Sequence, residues 1–209
     1  MFLDELPQFN KQTIDLLRGP LEDGNVTINR MNGSIVYPCK FMFVSSMNPC
    51  PCGYYGAKEK ECTCTSKEIS RYMNKVSGPL LDRIDIQVEV SSVEYDKLQS
   101  HDKEENSATI KERVNIARRI QVERYKKFDI FSNSELTSNL IEKFCNLSNE
   151  AEQLLKAAFS RLGLSTRAYS RILKVARTIA DLDDSNKIES NHIAEAIQYR
   201  SLDRKYWKN

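Results

Sequence analysis

Paired carboxylates, solitary arginines and amides at the ends of apolar runs, and close-set cysteines are the side chains here whose types and spacing suit chemistry. Asp4 and Glu5 follow directly on Phe2-Leu3. Two adjacent acids at a strand tip suit phosphoryl transfer, one helping to hold a divalent cation and the next polarising the attacking water. Taken alone they read more readily as two solvated acids after a strand. Asn48 follows the apolar run 41–46. There an amide can orient water or touch a terminal phosphate, or simply serve as a turn residue before Pro49. Arg83 stands between two acids in Leu80-Leu81-Asp82-Arg83-Ile84-Asp85. It fits a structural salt bridge or, because a planar guanidinium matches phosphate oxygens, an arginine reaching the γ-phosphate held by a neighbouring subunit. Arg167 and Arg171 open a helix whose core face is Ala168, Ile172, Val175, Ala176 and Ile179. A helix start of this kind suits an anion, although surface arginines look the same.

Cys50-Pro51-Cys52 and Cys62-Thr63-Cys64 form two C-x-C pairs separated by nine residues. Four thiolates so arranged, with Gly53 and Gly56 in the intervening loop, can close a tetrahedral Zn²⁺ site. With every ligand position filled by protein, such a site is structural. Two disulfides and four reduced thiols are the other readings. Cys39 and Cys145 stand alone and are expected as buried fillers.

What must position these groups is bounded by composition. At 209 residues, 40% hydrophobic and 29% charged, the chain is an ordinary globular one with room for a real core. A net charge of +2 argues for no partner by itself. No apolar run approaches the ~20 residues of a membrane span, and acids at positions 4 and 5 exclude a signal peptide beginning at Met1. A cytoplasmic, reducing setting is expected, in which clustered thiols bind metal more often than they pair. Met1-Phe2-Leu3 reads as the end of a buried strand, so its partner strands are expected upstream.

Further elements follow from pattern. A short helix is expected over 10–18, stopped by Gly19-Pro20, and a hairpin over 25–38 around Asn32-Gly33. Strands are expected at 41–46 and 84–90 with a helix at 66–76 between them. The polar stretch 99–107 reads as a linker. Beyond it the chain is helical: 108–128, 135–145, 149–161, 166–181 and 189–200. The fold class is therefore α/β plus all-α, with a mixed domain over 1–98 and a helical domain over 108–209.

The phrases FLDELPQF, RGPLEDG, SSMNPCPCGYYG, SGPLLDRID and RAYSRILKVARTIADL resemble the ComM/YifB branch of the magnesium-chelatase-like AAA+ ATPases, across essentially the whole chain. The resemblance implies a partial AAA+ (P-loop NTPase) core, lacking its N-terminal strands and phosphate loop, followed by a helical lid. It makes Asp4 and Glu5 the Walker B pair, for Mg²⁺ and water. Asn48 becomes the γ-phosphate sensor, Arg83 a finger acting across a ring interface, and Arg167 the lid's sensor arginine, with Arg171 as substitute. ATP and Mg²⁺ are the implied cofactors. A hexameric ring driving DNA branch migration in recombination and natural transformation is the implied function. No G-x-x-x-x-G-K-[ST] phosphate loop occurs in the sequence, so the chain alone is expected to be inactive. The alternatives are a magnesium-chelatase-type ATPase subunit and a non-enzymatic zinc-stabilised interaction module.

Two segments are candidates for DNA. Seven basic residues against two acids between Lys111 and Lys127 form either a phosphate-binding face or, the favoured reading, the solvated side of a helix whose core side is Ile110, Val114, Ala117, Ile120 and Gln121. The hairpin at Arg30 is the better candidate, because related ring motors project a hairpin here into the pore.

Overall fold

The computed structural model describes residues 1–31, 33–57, 60–90 and 105–200, which fall into two compact units on either side of the undescribed stretch 91–104. Most of the expected linker 99–107 lies outside the described residues.

In the first unit, β1 (Phe2–Leu3) pairs in parallel with β4 (Val44–Ser45), Phe2 opposite Val44 and Leu3 opposite Ser45. The ladder continues past the strands, with the Ser46 N–H donating to the Leu3 carbonyl at 3.1 Å and the Leu6 N–H to the Ser46 carbonyl at 2.9 Å. Between these strands run α1 (Lys11–Leu16), α2 (Arg18–Asp23) and an antiparallel hairpin, β2 (Asn25–Arg30) with β3 (Gly33–Pro38). Beyond β4 come the cysteine loop, α3 (Ser66–Met73) and α4 (Gly78–Leu81). A small core joins Leu6, Ile14, Val76, Leu80 and Leu81, with Leu3, Phe43 and Met47 packed on its edge.

Several expectations are corrected here. Gly19-Pro20 does not stop a helix but lies in the first turn of α2, where the missing proline N–H is not needed. The stop is Gly24, whose left-handed backbone (φ 64°) closes the helix onto the Pro20 carbonyl. The turn of the hairpin is displaced by one residue. Gly33 already pairs with Arg30, so the turn falls between these two residues, and Asn32 itself lies outside the described residues. The run 41–46 shortens to a two-residue strand, and β1 is not buried, for Phe2 is 63% exposed. Among the described residues each strand has a partner on one side only, which leaves its other edge and a face open. Residues 84–90 form no ladder, and Ile86, Val88 and Val90 are exposed.

The second unit is helical: α5 (Ser107–Tyr125), α6 (Ser138–Phe144), α7 (Asn149–Leu162), α8 (Thr166–Leu182) and α9 (Ser190–Gln198). Each boundary has a local cause. The Asn106, Ser148 and Ser165 side chains accept the first free N–H groups of α5, α7 and α8. Gly163, in left-handed backbone, ends α7. The expected helix 135–145 splits into a 3-10 turn, Asn133–Glu135, and α6.

Helix α8 is central, and its face Ala168, Ile172, Ala176 and Ile179 is buried as its period requires, with Val175 partly so. The expected core side of α5 is only half right. Ala117, Gln121 and Tyr125 are buried, whereas Ile110 and Val114 are exposed within their unit. The reason is polar. Tyr125 donates from its hydroxyl to Asn133 Oδ1 at 2.6 Å, and Asn133 Nδ2 donates to Asp181 Oδ2 at 2.8 Å, so the C-terminal half of α5 is fixed to α8 through a hydrogen-bonded network.

Candidate functional site

The strand pairing brings the two tips of β1 and β4 side by side, and both carry polar residues. Asp4, Glu5, Ser46, Met47 and Asn48 line one cleft of about 160 Å³. Thus the acid pair and the amide, distant in sequence, meet through the parallel register. Ser46 joins them and was missed by the sequence reading. Its Oγ donates to Asp4 Oδ1 and accepts the Glu5 N–H at 3.3 Å, while Asp4 Oδ1 accepts the same N–H at 3.0 Å.

Glu5 adopts left-handed backbone, φ 49° and ψ 51°. Such a conformation costs a glutamate on the order of 1–3 kcal/mol and persists only where its surroundings impose it. They do so on both sides. Leu6 and Pro7 are buried immediately afterwards, and the Glu5 N–H is held by Asp4 and Ser46. The chain therefore turns into its core at Leu6 while Glu5 stays exposed at the cleft.

Tyr72, on α3, is buried near the cleft without lining it. It is 7% exposed, and burial pushes its phenol above the ordinary value of 10.0, with the nearby Glu5 carboxylate adding to the rise and a hydrogen bond from the Asn48 backbone opposing it. No sequence pattern marked Tyr72, because its role depends on how α3 returns against β4. The oxygen-rich donor set of two carboxylates, a hydroxyl and an amide suits a hard cation such as Mg²⁺ and the polar end of a phosphate ester.

The other expected site residues are placed elsewhere. Arg83 pairs with Glu22 (Nε to Oε2, 2.8 Å) and donates from Nη1 to the Pro79 carbonyl at 2.6 Å, and it does not line the cleft. Arg30 ends β2 beside the hairpin turn and is exposed. Arg167 lies in the first turn of α8, in the helical unit, exposed. Arg171 is one turn further on and half-buried.

On α5 the basic run is divided. Arg124 is drawn inward to the buried Asp181, Arg113 meets Glu105, and Lys126 meets Glu123. A surface depression at Asn115, Arg118, Arg119, Val122 and Glu123 is walled, among the described residues, by this one helix.

The four clustered cysteines converge. Sγ of Cys50 is 3.4 Å from that of Cys52 and 3.7 Å from that of Cys62, Cys52 and Cys62 are 3.5 Å apart, and all four sulfurs lie within 4.8 Å of one another. A tetrahedron of Zn–S bonds near 2.3 Å has S···S edges of about 3.8 Å, whereas a disulfide requires about 2.05 Å. The spacing therefore fits a shared cation and not covalent pairs, and all are free thiols. A hydrogen bond from the Tyr54 backbone holds Cys52 down at about 5, and burial pushes Cys64 up to about 12. Of the lone cysteines, Cys145 is buried, its sulfur facing the Leu173 carbonyl at 3.8 Å, and Cys39 is only half-buried.

Residues 1–98 match the family described as magnesium chelatase, subunit ChlI, and residues 104–200 match its C-terminal domain. The chain is 43% identical over 205 residues to the competence protein ComM of Haemophilus influenzae. It is 42% identical over 205 residues to YifB of Escherichia coli and 41% identical over 205 to YifB of Salmonella typhimurium. Each alignment covers 98% of this chain and 39% of the relative, so the chain spans about two fifths of the length of these proteins.

Proposed function

From a chain that belongs to the magnesium-chelatase ChlI family, in the company of ComM and YifB, we propose that the cleft between β1 and β4 is the hydrolytic edge of an ATP site in an AAA+ ring motor acting on DNA. In this reading residues 1–98 form part of the AAA+ core and 108–209 its helical lid.

The observation that carries the proposal is the convergence of Asp4, Glu5 and Asn48 on one cleft, with Glu5 held in left-handed backbone at its rim. Bound Mg²⁺ would supply charge neutralisation at the phosphate oxygens. Asp4 offers the carboxylate for that ion. Glu5 accepts a proton from the attacking water, and Asn48 orients the water or a terminal phosphate oxygen through its amide. Arg83 acts in trans after exchanging Glu22 for phosphate, and Arg167 acts from the lid. Arg30, exposed at the hairpin, is the proposed DNA contact. The four cysteines hold a structural Zn²⁺ with no position left open for catalysis. The name of the relative from Haemophilus supports a role in competence; branch migration during recombination is the activity proposed. Assembly into a ring, six-membered in this reading, is required if Arg83 is to reach a neighbour.

The test is ATP turnover, with and without four-way DNA, by a protein of the relatives' full length that contains this chain, beside its Glu5→Gln variant. A water-activating carboxylate accounts for ~10²–10⁴ in rate, so Glu5→Gln is expected to reduce DNA-stimulated turnover by at least that lower bound. Unchanged turnover in the variant removes Glu5 from the mechanism. The family description itself favours one other reading, a chelatase-type motor subunit. Robust turnover indifferent to DNA would select it.

A further inference from the structure

We propose that the four-cysteine cluster is a metal clamp that positions Asn48 in the cleft, by locking the segment leaving β4 to the start of α3. The role given to Asn48 rests on the nucleotide reading above; the mechanical link does not.

Connectivity makes the link short. Asn48 is two residues before Cys50, and Cys64 is followed at once by Thr65, the cap of α3. The cap is reciprocal. The Glu68 N–H donates to Thr65 Oγ1 at 3.3 Å while the Thr65 N–H donates to Glu68 Oε2 at 2.8 Å, which fixes the direction in which α3 leaves the cluster. Tyr72, on the last turn of that helix, is 7% exposed and lies close enough to Asn48 and Glu5 for both to act on its phenol, the Asn48 backbone lowering it and the Glu5 carboxylate raising it. A closed circuit results: Asn48, Cys50, the shared ion, Cys64, α3, Tyr72 and Asn48 again.

Nothing apolar could close that circuit. Among the described residues between Cys50 and Cys64 only Cys50 is buried, and Tyr54 and Tyr55 are exposed. Gly53 and Gly56, at φ 85° and 83°, let the loop double back so that the second C-x-C pair reaches the first. A loop with no core of its own pays its ordering entropy through a cross-link, and the sulfurs, at tetrahedral-edge spacing, are the groups that supply one. A soft divalent ion of the zinc class suits four thiolates.

Two measurements on this chain test the proposal. Metal content and a Co²⁺ titration, read by thiolate-to-cobalt absorption, establish the site; about one equivalent per chain with tetrahedral bands is expected. Hydrogen exchange then reads the coupling. Chelation is expected to speed exchange ~10-fold in residues 44–48 and in α3, with Zn²⁺ restoring both and α8 and α9 serving as unaffected controls. Tyr72→Phe keeps the ring in the core and removes the hydroxyl. It should bind Zn²⁺ normally yet exchange faster at 46–48 with metal present.

Substoichiometric metal overturns the clamp. Stoichiometric metal with unchanged exchange at 44–48, or a Tyr72→Phe variant indistinguishable from the parent, overturns the positioning. Neither outcome bears on Glu5, whose role is judged separately by turnover of the Glu5→Gln protein.

Discussion

The two units solve the problem of burial in opposite ways. The helical unit, 105–200, gathers fourteen buried apolar residues into one core, around α8. The site-bearing unit, 1–90, gathers five into its core, with Cys50, Tyr72 and Met73 buried apart from it, and leaves Ile28, Ile35, Val36 and Tyr37 of its hairpin exposed with Met31 at the tip. Where the core is large, the chain can also bury charge. Asp181 and Arg177 are each 1% exposed, and Asp181 receives Arg124, Arg177 and Asn133 together. Where the core is small, polar groups sit at strand tips in solvent, and order comes from short-range devices: a capping box, a left-handed glutamate, four converging thiols. The contrast separates stability from chemistry. One unit is built on packing, the other keeps its reactive groups reachable and depends on staples.

The sharpest way to break this comparison is to remove the buried acid. Asp181→Ala leaves Arg177 and part of Arg124 without a counter-charge in the interior and takes from Asn133 Nδ2 one of its two acceptors, Thr178 Oγ1 remaining. Breaking a buried pair by deleting one partner typically costs ~3–5 kcal/mol. Denaturant unfolding followed by α8 exchange should show that loss in the helical unit, with exchange in α3 unchanged. An effect below ~1 kcal/mol would mean that packing alone carries the unit.

Next in size is Leu80→Ala, in the smaller core. Leu80 is fully buried against Leu6, Ile14 and Val76, and truncating a buried leucine costs ~2–5 kcal/mol. In a unit with so few buried side chains that loss is expected to loosen α4 and the turn at Leu6 together, and with them Glu5. Exchange at residues 3–8 should rise while α8 stays protected. If instead the loss is confined to α4, the cleft does not depend on the core beneath it.

How far these differences could be read from sequence follows the same division. The helical unit was legible, because a 3.6-residue period and Ser or Asn caps are local signals, and α8 falls on its expected face. What escaped was Arg177. A charged residue at a helix position facing inward is unreadable without knowing that Asp181 lies one turn on and that Arg124 arrives from α5. In the first unit the acid pair, Asn48 and the cysteines were visible as types, and the two C-x-C pairs already pointed to one shared site; what the residue pattern did not show was the meeting of Asp4 and Glu5 with Asn48, since it depends on a parallel register between segments some forty residues apart. Ser46 was missed for that reason, and Tyr72 because its place depends on how α3 packs, which no local pattern shows. The strand expected at 84–90 failed differently. Alternation of Ile84, Ile86 and Val88 gives a strand its propensity, yet a strand also needs a neighbour to pair with, and none is present among the described residues.

The mildest perturbation discriminates most finely between a unit held by packing and one held by staples. Thr65→Ala removes the hydroxyl that accepts the Glu68 N–H and leaves the Glu68 carboxylate still able to take the residue-65 N–H. Losing such a cap costs ~1 kcal/mol. In a packed unit that amount would be spread over the whole fold and nearly invisible. Here the cap stands between Cys64 and Tyr72, so the loss should fall on the direction of α3, and so on the spacing of Cys62 and Cys64 from the other pair. The measurement is competition for metal with a chromophoric chelator. A several-fold weakening of Zn²⁺ affinity in Thr65→Ala, recovered in Thr65→Ser, places the cap within the clamp. Equal affinity in all three proteins would show that the thiols set their own geometry and that α3 follows passively.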